Sequence, residues 1–304
     1  MISGITVFCF AASYTVSLGC EVARLFVRGT VRAFLAIGFA AAGLIAHTSY
    51  LVAETRAVLE TGPISSWHQW CLMGAWVLAA IYLITSISQP KTSLGLFLLP
   101  LVLLLVGLGY LMDQVAPFVP VSQTAAWGTI HGVALLAGTV VVALGFISGI
   151  MFLIQSYRLK HKMLSNEGFS LPSLEWLQAT NQRALFVSTC LLAAGLLAGI
   201  LLKIKRESFP WTDPVVWSST ILFLWLVAAT AFEILYRPAR QGQKVAYLTL
   251  ANFIFLGFVL GIVLFGPSQH AKTKDAVEAE STAIGPTLVE TPEALVLVPG
   301  VPDR

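Results

Sequence analysis

Apolar residues in this chain come in long unbroken runs, without the alternation of a half-buried strand or the narrow stripe of a soluble amphipathic helix. Eight runs stand out, at 2–23, 33–54, 70–87, 93–112, 126–154, 184–202, 215–235 and 245–266, separated by short polar or Pro/Gly-containing links. About 20 apolar residues, rising about 1.5 Å each, carry a helix across a bilayer, and the runs are of that order. Backbone groups in hydrocarbon must pair within their own segment or a closed barrel, and barrel strands would show about ten residues of alternating character. The pattern predicts an all-α protein, a polytopic transmembrane helical bundle of about eight spans filling 1–266.

Two segments fall outside this pattern. The link 155–183 opens with Gln155-Ser156-Tyr157-Arg158-Leu159-Lys160-His161-Lys162, a basic extension of the fifth span. Pro172 then opens a short amphipathic helix suited to the inner interface. From Pro267 the chain is rich in Ala, Glu, Pro, Thr and Val without helical period, and 267–304 is expected to be an external, disordered tail. The first run resembles a secretion signal in ending at Ser17-Leu18-Gly19-Cys20, but no cation precedes it, so a retained first span is expected.

Of the 304 residues 57% are hydrophobic and only 11% charged, against about 25% charged in a soluble domain, which excludes a water-soluble globule and gives nucleic acid nothing to bind. The links after the odd-numbered spans hold eleven Lys and Arg, among them Arg24, Arg28, Arg32, Arg158, Lys160 and Lys162. The opposite links hold four, Arg56, Lys203, Lys205 and Arg206. The richer side is expected to face the cytoplasm, which puts both termini outside and the protein in the inner (cytoplasmic) membrane. Cys9, Cys20, Cys71 and Cys190 are isolated, so neither a zinc site nor a thiol relay is indicated. There is no internal repeat, Gly-rich phosphate loop, nucleophile elbow or H-E-x-x-H helix.

Ionisable residues inside spans cost energy and mark function, which turns attention to the histidines. His161, among lysines, reads as a solvated or lipid-headgroup residue. His47 lies about 21 Å up a hydrocarbon layer of about 30 Å, and His131 about 8 Å below the same outer surface. His68, flanked by Trp67 and Trp70, and His270, after the last span, share that level. Imidazoles ligate iron, copper or zinc while neutral, and two facing imidazoles form the usual six-coordinate haem arrangement. The bland alternative is that each histidine bonds a neighbouring helix or water, which holds most strongly for His68.

Gly43-Leu44-Ile45-Ala46-His47-Thr48, Trp127-Gly128-Thr129-Ile130-His131, Tyr157-Arg158-Leu159-Lys160 and Leu171-Pro172-Ser173-Leu174-Glu175 together resemble the integral-membrane cytochrome c assembly proteins, the CcsA- and HemX-like haem-handling group. Phe209-Pro210-Trp211-Thr212-Asp213-Pro214-Val215-Val216-Trp217 is similar to a remnant of that family's tryptophan-rich loop, and Gly266-Pro267-Ser268-Gln269-His270 occupies the place of its second external histidine. The resemblance implies haem b held by His131 and His270 as iron ligands, with Trp211 as platform, Asp213 beside it and His47 as one of a deeper pair whose partner is replaced near Glu233. It also implies an accessory role rather than a complete synthase, with haem, a second assembly subunit and apocytochrome c as partners. Two other classes stay open: a transporter using Glu21, Glu54 and Glu233, and a b-type electron-transfer protein, although no span carries two histidines.

Overall fold

The computed structural model describes residues 6–26, 29–57, 66–113, 125–162, 169–204, 214–235 and 243–265, and every regular element among them is an α-helix. In chain order these are α1 (Val7–Ala23), α2 (Thr30–Ala57), α3 (Trp67–Ser88), α4 (Gly95–Leu111), α5 (Ala125–Lys160), α6 (Leu174–Ile204), α7 (Pro214–Leu235) and α8 (Gln243–Phe265). Trp211, Asp213, His270 and the tail at 267–304 lie outside the described residues, as does the side chain of Glu233. Val31–Glu54, Trp67–Ser88, Trp127–Lys160 and Leu174–Leu201 are long and apolar enough to cross a membrane, beside four shorter apolar helices. The protein is therefore a multi-pass membrane protein. Phe34, Ile45, Ile254 and Phe258 are all more than 60% exposed, as side chains facing lipid should be.

The chain runs up and down, and its helices group as α1–α4 and α5–α8, meeting along α3 and α5. In the first group α1 buries Phe10, Tyr14, Ser17 and Glu21, one face at helical spacing. That face is unusually polar for a membrane interior, and its polar side chains are engaged by neighbouring helices, although Glu21 Oε2 makes no hydrogen bond among the described residues. Ser17 donates to the Ala36 carbonyl at 2.9 Å, and the Tyr82 hydroxyl donates to Glu21 Oε1 at 3.0 Å. Arg24 lies 3.9 Å from the other Glu21 oxygen and donates to the backbone carbonyls of Lys91 and Thr92. A lone carboxylate here would cost several kcal/mol or take up a proton, so these partners are what allow Glu21 at this depth.

In the second group α5 and α6 are antiparallel. Gly138 faces Leu192 and Gly145 faces Ala184, while Gly195 faces Leu135. α8 crosses α5 where Gly149 approaches Thr249, Leu250 and the Ala246 carbonyl, and Phe146 stacks on Phe253 with ring centres 4.0 Å apart. Glycines let helix backbones come close where lipid offers no hydrophobic drive for association. At the far end of α5 the two groups are joined by the backbone of Ser93 donating to Ser170 and that of Ser170 donating to the Ser93 hydroxyl.

One expected boundary differs. The short interfacial helix after Pro172 and the sixth span form a single helix, α6, of 31 residues. Ser173 caps it by accepting the Trp176 N–H at 3.3 Å, and Gln178-Ala179-Thr180-Asn181-Gln182-Arg183 contains no glycine or proline to interrupt it.

A side chain at Gly149 would place its Cβ 2.6 Å from Thr249 Oγ1 and 3.2 Å from the Ala246 carbonyl, whereas Gly257 has open space. Gly149→Leu is expected to cost about 1–3 kcal/mol, as overpacking does, and Gly257→Leu nothing measurable. Thermal unfolding midpoints of the two variants in one detergent check this; equal midpoints would contradict the packing.

Candidate functional site

Three histidines sit at one end of the bundle. His47 ends a buried row in which Gly43, one turn earlier, makes room for Tyr14: a Cβ there would lie 2.9 Å from the phenol ring. The His47 imidazole is fully buried and stacked on Phe10, with ring centres 4.1 Å apart and planes 1° from parallel. Its Nδ1 is 3.3 Å from the Tyr14 hydroxyl, and its Nε2 is buried with no hydrogen-bond partner among the described residues.

His68 stands in the first turn of α3, which Ser66 caps by accepting the Gln69 N–H at 3.2 Å. Its Nδ1 is 2.8 Å from the Gly109 carbonyl of α4. A carbonyl only accepts, so Nδ1 carries the hydrogen, and in the neutral ring Nε2 is left to accept from the Tyr50 hydroxyl at 3.2 Å. Glu54 and Asp113 flank the ring at 3.8 and 3.7 Å. Every described contact ties α3 to α2 or α4, which agrees with the interhelical hydrogen-bonding role anticipated for this residue. Tyr50 also lies against Phe10, with ring centres 5.7 Å apart, so His47 and His68 belong to one aromatic cluster.

His131 belongs to the other group. It is half-buried on α5, and its Nδ1 is 2.7 Å from the Gly195 carbonyl of α6. The tautomer is again fixed: Nδ1 donates and Nε2 keeps its lone pair. Gly195-Leu196-Leu197-Ala198-Gly199 supplies the seat, because a Cβ on Gly199 would lie 2.9 Å from His131 Cε1 and Nδ1. Leu136, further along α5, lies against Gly74, further along α3, so His131 and His68 share a level in the bundle. The common height read from the sequence is thus present for His47, His68 and His131, with His270 outside the described residues, while His131 makes its described contacts with α6 and not with His47. His161 is exposed at the opposite end of α5, its Nδ1 3.0 Å from the Tyr157 carbonyl.

Sequence reading missed the two Tyr–His pairs and the glycine seat. Both left a trace: Phe10, Tyr14, Ser17 and Glu21 share a helical face, and Gly195 and Gly199 form a small-xxx-small pair. Chemically, a histidine whose Nδ1–H is held by a carbonyl presents Nε2 as a fixed donor atom, the arrangement that orients metal-ligating imidazoles. Among the described residues no group of three or more His, Cys, Asp or Glu could hold a bare metal ion, and the four cysteines are free.

A model of the cytochrome C assembly protein family matches residues 64–267, well over half of the chain. The chain belongs to that family. The match puts this cytochrome c assembly protein in c-type cytochrome biogenesis at a membrane. It spans α3 to α8 and includes His68, His131, Trp211 and Asp213, while His47 and His270 lie outside it. No curated protein and no solved structure matches the chain.

Replacing His68 by Leu removes its bond to the Gly109 carbonyl, which keeps only the Met112 N–H, and leaves the Tyr50 hydroxyl without its described partner, a loss expected to cost about 1–3 kcal/mol. The exposed His161→Leu is expected to cost little. Thermal midpoints that fall equally for the two variants would contradict the pairing of His68.

Proposed function

We propose that this cytochrome c assembly protein is a haem-handling factor: it holds haem b near the external face of the inner membrane and presents it during c-type cytochrome maturation. His131 and His270 are the candidate iron ligands, Trp211 the aromatic platform, Asp213 a neighbour that orients the site and His47 a deeper support. The observation that carries this reading is the His131 Nδ1–H held at 2.7 Å by the Gly195 carbonyl, which leaves Nε2 as a donor with its lone pair free. The residues present fit the group in a second respect. His47 Nε2, on α2, is a fully buried imidazole nitrogen without a hydrogen-bond partner among the described residues. Haem supplies the iron porphyrin that a c-type cytochrome carries; what the chain supplies is a fixed imidazole, an apolar wall and a place at the membrane edge for the polar propionates.

The division of labour follows from depth. A macrocycle needs an apolar surround and its carboxylates need water, so a site at the end of the bundle serves both. This reading makes the protein an accessory that binds and hands on haem, with a second assembly subunit and apocytochrome c as partners. The carboxylate that a transporter would use at the other end, Glu21, is engaged by Tyr82 and Arg24.

The test is a pyridine haemochrome spectrum of the purified full chain and four variants. His131→Ala and His270→Ala are expected to lose most of the bound haem, and Gly199→Leu to follow them because its side chain displaces the His131 ring. His161→Ala is expected to match the unsubstituted protein. A haem-free preparation, or equal loss in all four variants, would overturn the assignment.

A further inference from the structure

α5 is longer than the helices packed on it, and its overhang creates a second feature, far from His131. At about 1.5 Å per residue, Lys160 lies about 43 Å along α5 from His131, at the other membrane edge. α8 runs antiparallel against α5 and touches it closely at Gly149, but its first residue is Gln243, so the last turns of α5 extend beyond its end. Between them lies an open groove of about 490 Å³, lined by Leu153, Ile154, Tyr157, Lys160 and His161 of α5 and by Tyr247 of α8.

The lining is graded along the membrane normal. Leu153 and Ile154 form the apolar end, and Tyr157 and Tyr247, each more than half exposed, stand next. Lys160 and His161 form the outer rim, with the His161 ring against Tyr157 at 4.1 Å between centres. Among the described residues that line it, none is a carboxylate. The N-terminal end of α8, with Lys244 in its first turn, lies on the same side of the bundle, short of Lys160 and His161. Arg158 is turned elsewhere, donating to the Phe169 carbonyl at 3.2 Å and lying over the Phe169 ring. Among the described residues lining the groove, Lys160 is the cation.

An apolar slot that ends in tyrosines and then in a lysine and a histidine, at the level of the headgroups, matches one kind of molecule. We propose that this groove binds an anionic glycerophospholipid of the surrounding leaflet: an acyl chain along Leu153 and Ile154, the glycerol region between Tyr157 and Tyr247, and the phosphate at Lys160 and His161. Basic pockets between helices at a cytoplasmic membrane edge take acidic headgroups in this way. Such a lipid pins the overhanging turns of α5 to α8 and so supports the helix whose other end carries His131. The inference stands apart from haem binding, since no residue of the groove is among the haem candidates.

Native mass spectrometry of the detergent-purified full chain, with phosphatidylglycerol or phosphatidylcholine added at equal concentration, tests it. Phosphatidylglycerol is expected to be retained about five- to tenfold better than phosphatidylcholine, in keeping with about 1 kcal/mol per cation at an anionic surface. Lys160→Gln combined with His161→Gln is expected to abolish that preference while leaving the lipid-free thermal midpoint and the haem spectrum unchanged. Ile154→Trp, which fills the apolar end, is expected to lower retention of phosphatidylglycerol without touching Lys160 or His161. Equal retention of both lipids, undiminished preference in the double variant, displacement by inorganic phosphate alone, or a dimer mass in place of lipid adducts would each overturn the proposal.

Discussion

Helix association in a bilayer gains nothing from burying leucine, because lipid tails are as apolar as the side chains they would replace. What brings α5 against α6 and α8 is close contact at small residues: Gly138, Gly145 and Gly149 on α5, and Gly195 and Gly199 on α6. The same contacts decide where the chemistry stands. With the backbone of α6 near enough to α5, the Gly195 carbonyl reaches His131 Nδ1, and the bond that satisfies a polar group in a poor solvent also fixes the tautomer. A bulky residue in place of Gly199 would remove the seat without altering any functional group.

The α1–α4 group solves the same problem by a different route. Several of its buried polar groups are paired with one another and with carbonyls, from Glu21, Tyr82 and Arg24 at one end to Tyr50, His68 and Gly109 at the other. His47 Nε2 has no described hydrogen-bond partner although the ring is fully buried, and Glu21 Oε2, Arg32 Nε and Glu54 Oε2 of the same group also lack one. An orphaned nitrogen in hydrocarbon costs free energy comparable to a lost hydrogen bond. His68 has both nitrogens engaged, and its place is that of a tie between α2, α3 and α4. The matched family region begins at residue 64, so the His47 row lies in the part of the chain before it.

Much of the fold was legible because membrane helices announce themselves: with no water to satisfy the backbone, each apolar run has few alternatives. The positions of α3, α4, α7 and α8 follow the runs within a few residues. α6 was read as two pieces because its polar stretch around Asn181 and Gln182 interrupts the hydropathy, although nothing there interrupts the backbone. The shared level of His47, His68 and His131 was legible from depth arithmetic alone. Which histidine faces which helix was not, since lateral neighbours depend on glycine contacts that only the packed bundle discloses. Trp211, Asp213 and His270 lie outside the described residues, so their part in the site still stands on sequence resemblance.

The most direct measurement is the visible absorption spectrum of purified His131→Gly with and without added imidazole. If Nε2 of His131 is the iron ligand, the variant loses the bound-haem spectrum of the unsubstituted protein, and free imidazole, entering the space left beside Gly199, restores it. A variant that keeps its full spectrum without imidazole would contradict the assignment.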